Sequence, residues 1–400
     1  MVSRSLSVLQ VLPSLESGGV ERGTLEVGRH LAGQGHRSLV MSAGGRLVDT
    51  LIAEGSEHFC WPVGEKAPRT LLLIPRLRRF LAEQQIDIVH VRSRLPAWLV
   101  YLAWRAMDPA VRPHLVSTFH GFYSVGRYSS IMARSEQIIA VSESIAEHVA
   151  REYRPQAPVT TIHRGIDPAE YPAGYRPAEE WAQAWADEYP RLRGKCLVTL
   201  PGRISRLKGH HDFVELIARL KSAVPNVHGL IVGGQEERHR GYVAELERAI
   251  SRRQLESQIS FTGHRADLRE IMSVSSLVVS LSSRPESFGR TVTEALALGV
   301  PVVAYAHGGV GEIMAAMLPS GAVPVNDLAR LHEVCLRFLS QPPVITALPE
   351  RFTLACMLRR TLAVYEALAG DGRRSAGCAA SLPGRAPGRQ QEDSGLARQV

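Results

Sequence analysis

The sequence predicts an α/β protein made of two doubly wound halves facing each other across a cleft. Three observations carry that expectation. Over about the first 165 residues, short apolar runs alternate with amphipathic stretches. A proline-broken segment then interrupts the alternation, after which it restarts. Strands alternating with helices imply a parallel sheet covered on both faces. The chain has 400 residues, 45% hydrophobic and 22% charged, enough for two units that each bury a core.

The strand candidates of the first half are Val8–Leu12, Ser38–Ser42, Ile86–Val91, His114–Phe119, Gln137–Val141 and Thr160–His163. Helical stretches lie between them, among them Val20–Gly33, Leu71–Gln84 and Pro96–Ala106. The stretch Asp167–Gly194 holds Pro168, Pro172, Pro177 and Pro190 and reads as a linker and an entry helix. Strands of the second half are expected at Leu197–Leu200, His228–Val232, Ile259–Thr262, Leu277–Ser280 and Val300–Ala304. Its helices are expected at His210–Ser222, Gly241–Arg253, Ala266–Val274 and Arg290–Leu298. A last amphipathic helix, Thr353–Leu368, follows a loop broken by prolines. Residues 371–400 are rich in Gly, Ala, Arg, Ser and Pro and bury too little apolar surface to offset ordering, so they are expected to be disordered. The domains are accordingly read as 1–175 and 176–350, with a helix over 351–370 and a tail over 371–400.

The formal charge of +8 favours anionic partners: nucleotides, phosphorylated substrates, nucleic acid or an anionic membrane surface. Five cysteines, Cys60, Cys196, Cys335, Cys356 and Cys378, are scattered without a CxxC pair, which argues against a disulfide framework or structural zinc and suits a reducing compartment. The run Leu6–Leu12 is too short for a signal-peptide core and reads as a buried strand. No stretch of about 18 apolar residues occurs, so no transmembrane helix is expected. These points predict a cytoplasmic protein, compatible with a peripheral position on the inner membrane.

The sharpest local pattern runs from Arg284 to Val303. It reads as strand end, glycine turn, helix and buried strand, with Glu286, Ser287, Phe288 and Gly289 ahead of a helix that carries Arg290 and Glu294. The N-terminus of such a helix points backbone N–H groups and the positive end of its dipole at the cleft. On residue type alone, Glu286 as a cap and Glu294 as a solvated helix residue is an equally good reading. A second pattern, Pro201-Gly202-Arg203 to Lys208-Gly209, follows the first strand of the second half and supplies cations; a basic surface loop is its plain alternative. A third is the loop holding Gly18 and Gly19, where backbone can approach a ligand. It lacks the third glycine of a GxGxxG fingerprint, which counts against dinucleotide binding. A fourth is His120-Gly121 at the tip of a strand. The adjacent His210 and His211 point about 100° apart on a helix and read as surface or packing residues. No Asp-x-Asp pair appears, and no metal is expected.

With those residues in view, the chain resembles glycosyltransferase family 4, of the GT-B fold with two Rossmann-like domains. The resemblance lies in Glu286 and Glu294 with seven residues between them, in Ser287-Phe288-Gly289, and in the closing Ala295–Val303 run. It extends over roughly Val8 to Ala369, with smaller matches at Gly165–Asp167 and Gly308–Glu312. It implies that Glu286 touches hydroxyls of the transferred sugar, that Glu294 holds the nucleotide ribose, and that Arg203 and Lys208 clamp the donor diphosphate. It implies that the Gly18–Gly19 loop helps shape the donor and acceptor sites, and that His120 lies beside the donor sugar. It also implies that the last helix crosses back to the first domain, which binds acceptor. The sequence departs from the family at Arg164, where many relatives have Asn, and at Ser287, where Gly is common.

The function implied is retaining, metal-independent hexosyl transfer from a UDP- or GDP-sugar to a hydroxyl acceptor, with no cofactor beyond that co-substrate. The first choice of acceptor is a lipid-linked glycan, the lipopolysaccharide core. Val89–Arg94 and Phe119–Tyr123 resemble segments of such transferases. Arg69, Arg76, Arg78 and Arg79, with Arg92, Arg94, Trp98, Tyr101, Trp104 and Arg105, form a candidate surface for an anionic membrane. Arg127, Tyr128 and Arg134 are candidate acceptor neighbours. Three alternatives stay open: a sugar-nucleotide epimerase of the same layout, an NAD-dependent oxidoreductase, and a non-enzymatic anion-binding protein. Nucleic acid is not an expected partner, because aromatic-basic recognition motifs are absent.

Overall fold

The computed structural model describes residues 4–16, 18–235 and 240–370. The expected tail 371–400, with Cys378, lies outside the described residues.

The first domain holds strands β1 (Ser7–Val11), β2 (Arg37–Ser42), β3 (Glu57–Cys60), β4 (Ile88–Val91), β5 (His114–Phe119), β6 (Gln137–Ala140) and β7 (Val159–Thr161). They form a 7-stranded parallel sheet in the order β3-β2-β1-β4-β5-β6-β7. The second domain holds β8 (Cys196–Pro201), β9 (Val227–Val232), β10 (Ile259–Gly263), β11 (Leu277–Ser280), β12 (Val302–Tyr305) and β13 (Ala322–Val323). These make a 6-stranded parallel sheet in the order β10-β9-β8-β11-β12-β13. Each order reverses once, at β1/β4 and at β8/β11. Ligands of open α/β sheets bind outside the carboxyl ends of the strands at such points.

The strands form where the sequence offers buried, largely β-branched runs, as in β4 and β12, both buried throughout. The apolar stripes of the helices cover both faces. Two strands escaped the sequence reading. The edge strand β3 (Glu-His-Phe-Cys) has no continuous apolar run, and β13 has only two residues. Helices Glu143–Tyr153, Gly308–Met317 and Leu328–Ser340 were also not anticipated. The entry helix expected within Asp167–Gly194 is Glu179–Glu188, whose Trp185 packs with Leu197 and Leu230 of the second domain.

The chain crosses between domains twice, and the crossings bond to each other: Ile166 N–H donates to Phe352 O at 3.0 Å, and Leu354 N–H to Ile166 O at 2.8 Å. After the second crossing, helix Leu354–Gly370 returns to the first sheet. Its Met357 and Tyr365 pack with Val8, Val27, Ile88 and Val116, and Tyr365 Oη lies 2.6 Å from His90 Nδ1.

Candidate functional site

The residues singled out from sequence follow the carboxyl ends of β1, β5, β8 and β11, so the fold gathers them about the cleft. The centre is a contact across 78 positions of chain: Lys208 Nζ donates to Glu286 Oε1 at 2.6 Å, and the Ser282 hydroxyl donates to the same oxygen. Two glycines permit it. Gly209 has φ 70°, and a Cβ there would lie 2.0 Å from Leu281 O; Gly308 has φ 58°, and its Cβ would lie 2.5 Å from Glu286 O. Side chains at either position would be strained by the backbone and pushed into it. The loop after β8 therefore lies against the segment after β11, and that segment against the start of helix Gly308–Met317, where Gly309 N–H donates to Glu286 O at 2.8 Å.

Helix Arg290–Ala297 starts just beyond, with Gly289 at its N-cap. Two helix N-termini therefore open close to Glu286, beside Lys208. Their unpaired N–H groups and dipoles favour an anion there. Burial alone would raise the Glu286 carboxyl, but Lys208 and Ser282 outweigh it and hold it below the usual carboxylate range. Glu286 is thus an ionised acceptor, suited to hydroxyl groups. Glu294 is buried, and burial raises its carboxyl against the pull of Arg290, whose Nε donates to it at 3.0 Å.

The other expected site residues fall as follows. Arg203 is exposed on the Lys208 loop, and Ser287 is half-buried beside Glu286. Phe288 is buried, its ring centroid 5.8 Å from that of Phe352 and 6.4 Å from that of His163. Gly18 and Gly19 are exposed at the start of helix Gly19–Gly33, and a Cβ on Gly19 would meet open space. His120 Nδ1 lies 2.8 Å from Arg164 Nη2. Arginine can only donate, so Nδ1 accepts and the neutral ring carries its proton on Nε2, which is buried and without a partner among the described residues. Burial, then the charges of Arg164 and Arg92, hold the His120 ring well below its ordinary pKa. Arg164, the departure from the family pattern, therefore sets the tautomer of His120.

The candidate membrane surface needs correction. Arg92 and Trp104 are only 2% and 6% exposed; Trp104 Nε1 donates to Pro113 O at 2.7 Å. Trp104 lies in the interior because the helix after β4 turns that face onto the sheet, and Arg92 because it directly follows β4, where its charge interacts with Tyr365 and Glu26. Arg76 stacks on Trp61, Arg105 and Arg134 approach Tyr101, and Arg94 approaches both Tyr123 and Tyr128. Leu71 and Leu72 stand exposed beside Arg69. His210 is buried with Nδ1 3.2 Å from Ser205 O, and His211 faces Glu245 at 3.0 Å. Among the described residues, no cluster of three or more His, Cys, Asp and Glu has metal-binding geometry, and no helix is long and apolar enough to cross a membrane.

Sequence reasoning missed Glu312. The resemblance marks Glu312 only as the last residue of the Gly308–Glu312 match. In the structure the Glu312 side chain crosses to the first domain, where it accepts from Glu143 N at 3.0 Å, Ser144 N at 2.7 Å and Ser144 Oγ at 2.6 Å, and meets His163 Nε2 at 3.0 Å. It occupies the N-terminus of helix Glu143–Tyr153. Burial opposes its charge, but these partners prevail and bring its pKa to about 2. The pattern Ser142-Glu143-Ser144 is a readable helix start; its partner 169 residues away is not.

Two facing doubly wound domains, with the Lys208–Glu286 pair on the second, have the architecture of a GT-B glycosyltransferase. The chain belongs to glycosyltransferase family 4: residues 17–170 match the family described as Glycosyltransferase Family 4, and residues 183–353 match Glycosyl transferases group 1. Relatives include the N-acetyl-alpha-D-glucosaminyl L-malate synthase of Bacillus anthracis, 23% identical over 76% of this chain and 79% of the relative. Another is the lipopolysaccharide core biosynthesis mannosyltransferase LpsB of Rhizobium meliloti, 25% identical over 60% of this chain and 67% of that protein. Among solved structures, a Rickettsia africae glycosyltransferase matches with TM-score 0.76 and 28% identity, covering 91% of this chain and 98% of its own. Anabaena Alr3699/HepE, crystallised with UDP and glucose, shares the fold with TM-score 0.73 and 19% identity, over 90% of this chain and 100% of its own.

Proposed function

We propose that the protein transfers a hexose, with retention and without a metal, from a UDP- or GDP-sugar to a hydroxyl of a lipid-linked glycan, the lipopolysaccharide core being the first choice. The observation that carries the reading is the Lys208–Glu286 pair at 2.6 Å, set between two helix N-termini. An ionised acceptor for sugar hydroxyls and a cation for phosphate stand side by side there, matched to the two ends of a sugar diphosphate. Crystals of Alr3699/HepE with UDP-glucose support a nucleotide-sugar donor for this fold. The relationship to LpsB supports the choice of acceptor.

In this reading Lys208 turns from Glu286 to the diphosphate when donor binds, joined by Arg203 and by helix N–H groups. These charges are fixed before reaction and are worth most as the departing diphosphate gains charge. Glu286 then accepts from sugar hydroxyls, and Glu294 from the ribose. The acceptor oxygen attacks the anomeric carbon on the face the diphosphate leaves. The new glycosidic C–O bond forms as the old one breaks, and the acceptor proton passes to a diphosphate oxygen. No protein nucleophile is assigned. The Nε2–H of His120 is a further donor for the sugar. Exposed Leu71 and Leu72 among arginines would rest on the anionic inner leaflet, close to a lipid-linked acceptor.

The test incubates the protein with each nucleotide sugar and core glycolipid from a strain lacking the gene, and reads the product by NMR. One hexose added with the donor's anomeric configuration is expected. Inverted product, a trapped glycosyl ester on Glu286, or an unchanged core in the deletion strain contradicts the reading.

A further inference from the structure

Glu26 lies mid-helix in Gly19–Gly33 of the first domain, and no motif marks it. Its side chain is 7% exposed. Its Oε1 lies 3.3 Å from Arg22 Nε and accepts from Arg290 Nη2 at 3.0 Å, while Oε2 is buried without a partner among the described residues. Arg290 is the first residue of the helix that carries Glu294 on the other domain, and its Nε donates to Glu294 Oε1 at 3.0 Å. One guanidinium therefore spans the seam, donating through Nη2 to Glu26 and through Nε to Glu294.

The guanidinium is a planar fork whose donors keep fixed directions. Anchoring Nη2 fixes where Nε points, and Nε is what holds Glu294. Glu26 also faces Arg22, and its charge offsets the mutual repulsion of the buried Arg92 and Arg164. It is thus a carboxylate among four arginines, an arrangement that leaves its side chain little freedom to turn away.

We propose that Glu26 is a positioning residue for the donor: it anchors Arg290 from across the interface, and Arg290 aims the Glu294 carboxylate at the nucleotide ribose. The inference rests on the reading of Glu294 given under Proposed function. It makes the ribose grip complete only when the first domain is seated against the second, which links domain arrangement to donor affinity.

Calorimetric titration of the full chain tests it, with UDP or GDP (whichever binds the wild type more tightly) and the 2′,3′-dideoxy analogue of that nucleotide. Glu26→Gln keeps the size and removes the anchor charge; it should weaken nucleotide binding about tenfold, the scale of one charged hydrogen bond. Arg290→Lys, which keeps charge but not the fork, should do the same. Glu294→Gln should lose at least as much, and the Glu26→Gln/Glu294→Gln double variant no more than Glu294→Gln alone. The dideoxy analogue, lacking the hydroxyls at issue, should bind the wild type and Glu26→Gln alike. If Glu26→Gln binds as the wild type does while Glu294→Gln loses affinity, Glu26 has no such role and the ribose assignment stands. If Glu294→Gln binds as the wild type does, the ribose assignment falls and the inference with it. Equal losses of nucleotide and dideoxy analogue in Glu26→Gln would mark a general structural effect and overturn the proposal.

Discussion

The two faces of the cleft are built differently. On the second domain, charged side chains are already paired: Lys208 with Glu286, Arg290 with Glu294, Glu312 with a helix N-terminus. On the first, arginines approach aromatic rings, Arg94 with Tyr123 and Tyr128 and Arg134 with Tyr101, next to the exposed run 124–128. The difference teaches where each face keeps its specificity. Paired charges are preorganised and can exchange an internal partner for a phosphate or a hydroxyl without reorganising the fold. Rings and guanidinium groups beside the exposed run 124–128 suit the acceptor role proposed for this face.

The largest effect should come from breaking the donor face at its centre. Lys208→Ala should lower the transfer rate at saturating donor by about 10²–10³-fold, the usual cost of removing one preorganised stabilising group. A loss below about tenfold would leave the two faces energetically alike. Glu312→Gln tests the contact between the faces. A carboxyl held at about 2 instead of 4.5 stabilises the fold by about 3 kcal/mol. Because the folded-state pKa is depressed, that stability is present above about pH 5 and lost as pH falls toward 2. Urea unfolding should therefore show the variant less stable at pH 7, with the gap to wild type narrowing as pH falls from about 5 toward 2. A constant gap across that range would mean that the carboxylate charge is not what docks the domains.

Glu286→Gln should cost about 10–100-fold in kcat/KM for donor through lost charged hydrogen bonds. Since the Glu286 carboxyl is held below its usual range, its ionisation should not limit the wild-type rate until pH drops below about 4.5. An acidic limb near neutrality would contradict that environment. The smallest effect belongs to the face of the first domain, proposed to bind acceptor. Tyr128→Ala should raise acceptor KM by about two- to fivefold, the worth of one exposed cation–π contact, and leave donor KM unchanged. A change in donor KM instead would mean that the loop serves both substrates.

The same contrast explains what could be read from the sequence. Arg203, Lys208, Glu286 and Glu294 stand in compact motifs just past strands, where the fold itself delivers them to the cleft. The parallel sheets were legible because buried strands such as β11 and β12 are continuous apolar runs. Edge strand β3 was not, since its residues are half exposed and polar. Trp104 reads as surface because residue type says nothing of which way a helix turns, and Arg92 because it says nothing of how deep the end of a strand lies. Glu26 and Glu312 were invisible because each takes its meaning from partners on the other domain, up to 264 residues away along the chain.

The central claim is that the second domain holds a nucleotide sugar through Lys208 and Glu286. Thermal unfolding of the wild type and of Lys208→Ala, each with UDP-, GDP-, ADP- and CMP-sugars, tests it most directly. At about 100 times its dissociation constant, the true donor should add about 2.7 kcal/mol of stability. The account predicts that one nucleotide class raises the wild-type melting temperature and that the shift is lost in Lys208→Ala. A shift of equal size in both proteins, or none with any sugar nucleotide, would contradict it.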